Sequence, residues 1–274
     1  MTIYSLAHLT ALDQSPPQLV RLASRLGYDR VGLRLIRVTD TSEGYALHTD
    51  PALLRQTRQA LADTGVSVND IEFVRLTPDF DPQALRALLE TGAALGARHV
   101  ICAPYDPDLN RLAANLAAFQ ENALGFGLSC VLEFFPWTVV PDLASANGVI
   151  DATGSTSLGI LLDTLHFNRS GSTLAELDKT PHQRFPFVHL CDAPVHPPYS
   201  MEELLHTGRA ERLPPGDGQI DLAAILNRLP RDTPLSLEVP MTGLQTMRGS
   251  EAVAELAITA AKRVTTNLRR HPES

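Results

Sequence analysis

The chain has 274 residues, 44% of them hydrophobic, and a formal net charge of -8 at pH 7. This is enough apolar chain for one large core, and an acidic balance disfavours a nucleic-acid partner, whose phosphates call for a Lys/Arg surface. The start, MTIYSLAHLTALDQSPP, has no basic n-region, and no window approaches the roughly 18 apolar residues of a spanning helix, so an unexported, cytoplasmic chain with no membrane partner is expected.

Short apolar, β-branched runs alternate with helical patterns from one end to the other. IYSLAHL (3–9) is the first strand, and Ser15-Pro16 opens a helix that Gly27 closes. RVGLRLI (30–36) is followed by a helix opened by Asp50-Pro51 and closed at Gly65, and VNDIEFV (68–74) by one opened by Asp81-Pro82 and closed at Gly96. HVICAP (99–104) precedes a helix opened by Asp106-Pro107 and closed at Gly127. In each opener a side-chain oxygen can cap free N–H groups while proline takes the first turn, and glycine suits the left-handed residue after a helix. The remaining strands are SCVLEFF (129–135), LGILLD (158–163), FPFVHL (185–190) and PLSLEV (234–239). A last helix places Val253, Leu256, Ala257, Ala260, Val264 and Leu268 on one face. Cys102, Cys130 and Cys191 sit far apart in apolar runs and read as buried reduced thiols.

Eight strands with helices between them, in one domain of this length, favour a closed parallel (β/α)8 TIM barrel. The first strand lacks the G-x-G-x-x-G turn of a Rossmann sheet, which leaves an open doubly wound sheet as the minor alternative. In such barrels the active site lies at the C-terminal strand ends, and residues two apart share a side of the sheet. Four successive strands end in metal-ligand types: Glu133, Asp163, His189 and Glu238. Val131, Leu161, Phe187 and Ser236 stand two before them, so all four can point inward at one mouth. Singly, each is more simply an ion-paired carboxylate or a hydrogen-bonded core histidine. Crowded together, uncompensated carboxylates repel and resist burial, and one divalent cation resolves that. Three carboxylates with one imidazole suit Mn²⁺, Mg²⁺ or Co²⁺, with Zn²⁺ also admissible.

The series Glu133, Asp163-x-x-His166, His189-x-x-Asp192 and Glu238, with ERLPPGDGQIDL before the last, resembles the xylose isomerase-like TIM-barrel superfamily of sugar isomerases and epimerases. The resemblance implies a divalent metal on Glu133, Asp163, His189 and Glu238, and His166, Asp192 and Arg212 match positions that hold substrate in its ketose 3-epimerases. Two departures from those epimerases bear on the substrate. About twenty residues, APVHPPYSMEELLHTGRAE (193–211), separate Asp192 from Arg212, and Asp192 stands where a glutamate is usual. The segment reads as a loop and short helix over the mouth, with Tyr199, His196, His206 or Arg209 reaching inward, or as a solvated excursion.

The expected chemistry is isomerisation or epimerisation of a small sugar or polyol-derived ketone. Glu133 and Glu238 would exchange general base and acid roles across a metal-stabilised enediolate. Glu72, Arg34 and His8 occupy plausible mouth positions, with an Arg34 to Glu72 ion pair an equal reading, and Trp137 and Phe135 offer an apolar wall. A lyase resembling 3-dehydroshikimate dehydratase is the runner-up. An endonuclease IV-like repair enzyme, which the missing histidine cluster disfavours, and a non-catalytic sugar-binding barrel complete the alternatives. The partner expected is a small polyhydroxy ketone, with homo-oligomerisation left open.

Overall fold

The computed structural model describes residues 2–38 and 42–270. Eight parallel strands close into a barrel in sequence order: β1 (Tyr4–Leu6), β2 (Arg30–Arg34), β3 (Ser67–Leu76), β4 (His99–Pro104), β5 (Ser129–Glu133), β6 (Gly159–Asp163), β7 (Val188–Leu190) and β8 (Leu235–Leu237). The closing seam sets Tyr4 against Leu235, Ser5 against Ser236 and Leu6 against Leu237. Helices fill the crossovers: α1 (Pro16–Leu26), α2 (Pro51–Thr64), α3 (Arg86–Ala94), α4 (Leu109–Leu124), α5 (Leu143–Thr153), α6 (Thr164–Arg169), α7 (Leu174–Lys179), α8 (Met201–Arg209), α9 (Leu222–Leu226) and α10 (Thr242–Arg270). Among the described residues no helix is long and apolar enough to cross a membrane. Cys102, Cys130 and Cys191 are buried and unbridged.

Strand alternation divides the core in two. Outward residues such as Leu6, Val31, Leu33, Ile71, Val188, Leu190, Leu235 and Leu237 join the large core between sheet and helices. Phe73, Ile101, Ala103, Val131, Phe135, Leu161 and Phe187 form a separate cluster inside the barrel. The side chain that follows at the next inward position therefore emerges at the mouth.

The helix openings fall partly where the sequence places them. Ser15 forms a capping box with Gln18, and the Asp50 side chain accepts from the amides of Ala52 and Leu53. Gly27, Gly65, Gly96 and Gly127 all take positive φ. The other two openings are displaced. The Asp81 carboxylate bonds only the Gln83 amide, and a turn intervenes before α3 begins at Arg86. Asp108 caps α4 through the amides of Asn110 and Arg111, because the Asp106 carboxylate is held by the Arg111 guanidinium at 2.6 and 2.7 Å. The face expected for the last helix is also offset. Val253, Ala254, Ala257, Ile258 and Ala261 are buried while Leu256 is 38% exposed. Gly249, at φ 79 and ψ 165, breaks α10 ahead of this stretch.

Candidate metal centre and its cavity

Val131, Leu161 and Phe187 fill the barrel interior, and Glu133, Asp163 and His189 follow each of them by two residues at the rim. Ser236 and Glu238 stand in the same relation on the strand beside His189. One donor atom from each of Glu133, Asp163, His189 and Glu238 lies within 4.8 Å of the other three, and all four residues are buried. His189 Nδ1 sits 3.4 Å from Glu238 Oε2, 3.7 Å from Glu133 Oε1 and 3.9 Å from Asp163 Oδ2, and it makes no hydrogen bond. A buried imidazole nitrogen without a partner, facing three carboxylates, is the donor arrangement that a divalent cation satisfies.

The carboxylates are held from behind. Asp163 Oδ1 accepts from the amides of Leu165 and His166 and so caps α6, while Oδ2 accepts from Arg212 Nη1 at 2.7 Å. Arg212 Nη2 lies 2.8 Å from Glu238 Oε2 and donates to the Gly208 carbonyl at 2.9 Å. The arginine is delivered by a short strip of extended chain bonded on both sides. Its own N–H donates to the Pro240 carbonyl, and Leu213 exchanges two backbone bonds with Asp192.

These contacts separate the proton affinities of the two glutamates. Burial pushes Glu133 up to about 8, with His189 pulling the other way. Burial would also raise Glu238, but His189 and Arg212 overcome it and hold the carboxyl well below the usual range. Burial opposes charge on His189 too, yet Glu238 and Glu133 raise it well above an ordinary histidine. His166 is neutral, because burial lowers it to about 4 against the pull of Asp163.

A cavity of about 250 Å³ opens above this set. Glu133, Glu238, His166 and Arg212 form its floor, Arg34 and Glu72 one side, and Phe73, Tyr105, Phe135 and Trp137 an apolar wall. Asp163 and His189, 0% and 1% exposed, lie behind the floor. His166 packs edge-on against Phe135 and Trp137, with ring centroids 4.8 and 5.1 Å away, and its Nδ1 has no partner. Arg34 Nε is 3.2 Å from Glu72 Oε1, and His8 Nδ1 accepts the Arg34 amide from behind, so His8 supports the wall rather than lining it.

Asp192 goes elsewhere. Its carboxylate accepts from the backbone amides of Ala193, Gly216 and Ile220, so it fastens the 216–220 turn and does not line the cavity. Residues 193–211 carry α8, whose C-terminal end lines the cavity through Gly208 and Arg209. A Cβ on Gly208 would approach the Trp137 indole to 2.9 Å, and Arg209 reaches the cavity edge. Tyr199 is turned away and held by Arg169, whose guanidinium lies 4.0 Å from the ring centroid. Phe73, Tyr105 and Gly208 line the cavity without any spacing signal in the sequence. Phe73 and Glu72 both reach it because the β3 to β4 register shifts between Ile71 and Val74.

A sequence profile described as xylose isomerase-like TIM barrel matches residues 20–262. The chain belongs to that family. Among relatives of this xylose isomerase-like barrel, the inosose isomerase of Halalkalibacterium halodurans is 26% identical over 154 residues, 53% of this chain and 52% of the relative. That of Bacillus subtilis is 24% identical over 154 residues, 53% of each. The chain thus spans about half the length of the curated relatives it matches. An IolI protein solved with a bound zinc atom superposes at TM-score 0.80 and 18% identity, covering 97% of this chain and 99% of that one. A D-allulose 3-epimerase from Methylomonas sp. gives 0.70 at 16%, covering 96% of each, and a probable 3-DHS dehydratase from Bacillus anthracis 0.74 at 16%, covering 95% and 99%. At these identities the structures share the barrel.

Proposed function

We propose that this barrel is a divalent-metal-dependent isomerase or epimerase of a small polyhydroxy ketone, with a cyclic polyol ketone of the inosose class as the preferred substrate. One observation carries the reading: of the four candidate ligands, Glu133 and Glu238 alone line the cavity, while Asp163 and His189 are covered. A cation held by all four supplies Lewis acidity toward a ketone and its neighbouring hydroxyl. Each cavity-facing glutamate keeps a carboxylate oxygen free to take a proton from carbon on one side of the substrate and return it on the other.

The other side chains bind and orient. Neutral His166, which lines the cavity, is placed to meet a substrate oxygen. Arg212 fixes Glu238 and Asp163, and the Phe135 and Trp137 rings cover the C–H face of a ring substrate. Charge favours a neutral substrate, since the four carboxylates of Glu72, Glu133, Asp163 and Glu238 are matched by Arg34, Arg212 and a dication. An anionic substrate such as 3-dehydroshikimate would add a charge that only exposed Arg209, at the edge, is placed to meet. The identity to inosose isomerases supports the same substrate class.

The test is incubation of the Mn²⁺-loaded protein with inososes, ketohexoses and 3-dehydroshikimate in deuterated water. Deuterium at the carbon beside the carbonyl of an inosose or ketose, abolished by Glu238→Gln, is expected. Exchange retained in that variant would refute the acid and base assignment, and loss of water from 3-dehydroshikimate would replace the isomerase reading with the lyase.

A further inference from the structure

The barrel interior below the metal centre has two unlike halves. On β4 to β7 the inward layer nearest the centre is apolar, Ile101, Val131, Leu161 and Phe187, with His99 and Ser129 two residues further down β4 and β5. On β8, β1, β2 and β3 they are Ser236, Ser5, Gly32 and Asp70; the first three are flanked on both sides by outward residues of the main core and Asp70 by Ile71 on one side. Interiors of this kind are ordinarily packed with bulky branched side chains. Here four successive strands supply two hydroxyls, a missing side chain and a carboxylate.

Three buried polar atoms of this region have no hydrogen-bond partner in the protein: Ser5 Oγ, Ser236 Oγ and His189 Nε2. The register brings them together, because Ser236 pairs with His189 on one side and with Ser5 on the other. Asp70, 1% exposed, leans over Gly32, where a Cβ would meet its Oδ1 at 2.6 Å, and its only side-chain partner is the Asn69 amide at 3.0 Å. Glycine at that position lets the carboxylate lie across β2 toward β1 and the two serines.

For Nδ1 of His189 to offer its lone pair to a cation, the ring proton must sit on Nε2, and a buried N–H left without an acceptor is destabilising. Metal-bound histidines almost always donate that second N–H. Small polar side chains with unused lone pairs, grouped in a closed interior, are also what a buried water needs. We propose that Ser236, Ser5 and Asp70, bridged by buried water, form a bracket that accepts the Nε2–H of His189 and so aims Nδ1 at the cation, with Asp70 as a positioning residue. This rests on His189 being a metal ligand, the reading given above.

The experiment measures Co²⁺ affinity by calorimetry, together with the downfield His189 Nε2–H proton resonance of the Zn²⁺-loaded protein. The variants are Ser236→Val, which changes no charge, and Asp70→Asn. Failure of the parent to bind Co²⁺ would be failure of the metal reading itself, seen before any variant is made. Given parental binding, each variant is expected to weaken Co²⁺ by about 10 to 100-fold and to move the resonance upfield or hasten its exchange. Folding is checked by melting of the metal-free form. Should Ser236→Val not fold, Ser236→Ala gives the same two readings with a smaller change of volume. Folded variants with affinity within about twofold of the parent overturn the bracket. So does an affinity loss that leaves the resonance in place, because the Nε2–H would then not be what the variant disturbs.

Discussion

Replacing Arg212 with Met distinguishes the two ways in which the carboxylates of the mouth are neutralised. In the metal-free protein the Arg212 guanidinium lies 2.7 Å from Asp163 and 2.8 Å from Glu238, and it is 2% exposed. Removing one partner of a buried ion pair costs about 3–5 kcal/mol, because the remaining charges stay buried without compensation. At roughly 2–4 °C per kcal/mol for a chain near this size, the metal-free variant should melt more than about 6 °C below the parent. A dication bound to Glu133, Asp163, His189 and Glu238 removes most of that penalty. What is then lost is hydrogen bonding without an uncompensated buried charge, so the loss in the metal-bound form should be the smaller of the two. By linkage, a loss smaller by about 1.4 kcal/mol in the metal-bound form equals tenfold tighter metal binding by the variant. Urea unfolding of parent and Arg212→Met, each without metal and with saturating Mn²⁺, gives all four values. Equal losses in both forms would refute a shared site for cation and carboxylates.

Three further outcomes follow from particular contacts. Gly208→Val forces α8 away from Trp137 at the 2.9 Å approach, so the KM for an accepted inosose or ketose should rise and the emission of the single tryptophan should shift red; unchanged emission would refute the contact. Metal affinity should tighten as pH rises from 6 to 8, because the cation displaces protons from Glu133, raised to about 8, and from His189; a flat Co²⁺ titration across that range would contradict it. His8 is lowered by burial from 6.5 to about 4, so between these values the unfolded chain binds a proton that the folded one refuses. The stability His8 contributes is therefore full above pH 6.5 and falls by roughly 3 kcal/mol as pH drops to 4; His8→Gln should flatten the dependence, and an undiminished slope would count against it.

The barrel and the grouping of the four candidate ligands were legible in the sequence for the same reason. Alternation has a period of two, so Val131 with Glu133, or Phe187 with His189, declares which residues leave the sheet on its inner side. Glycines after helices were equally readable, since a left-handed residue has few alternatives. What stayed hidden depends on competition between neighbours distant in sequence or similar in kind. Asp106 and Asp108 both suit a cap, and Arg111 decides between them by holding the first. Leu256 fits the apolar stripe by spacing, yet the helix buries Ala254, Ile258 and Ala261 instead. Asp192 carries the right residue type beside the site, yet three amides from residues 193–220 engage it. Asp70 gave no signal at all, because a single acidic residue within a strand reads as solvent-facing.

The strip of chain carrying Arg212 also governs how this barrel can diversify. Asp192 and Leu213 are tied by reciprocal backbone bonds and Arg212 is tied to Pro240, so the ends of the 193–211 excursion are clamped next to each other. The clamp therefore places Arg212 whatever the length of the excursion, which supplies the Gly208 carbonyl that accepts from its guanidinium. Lengthening a loop whose ends are already joined adds little closure entropy, about 0.6 kcal/mol for each doubling. Exchange of that cassette, from Ala193 to Glu211, can remodel the roof over the substrate while the floor keeps its chemistry, which makes it the natural graft point for redesigning specificity.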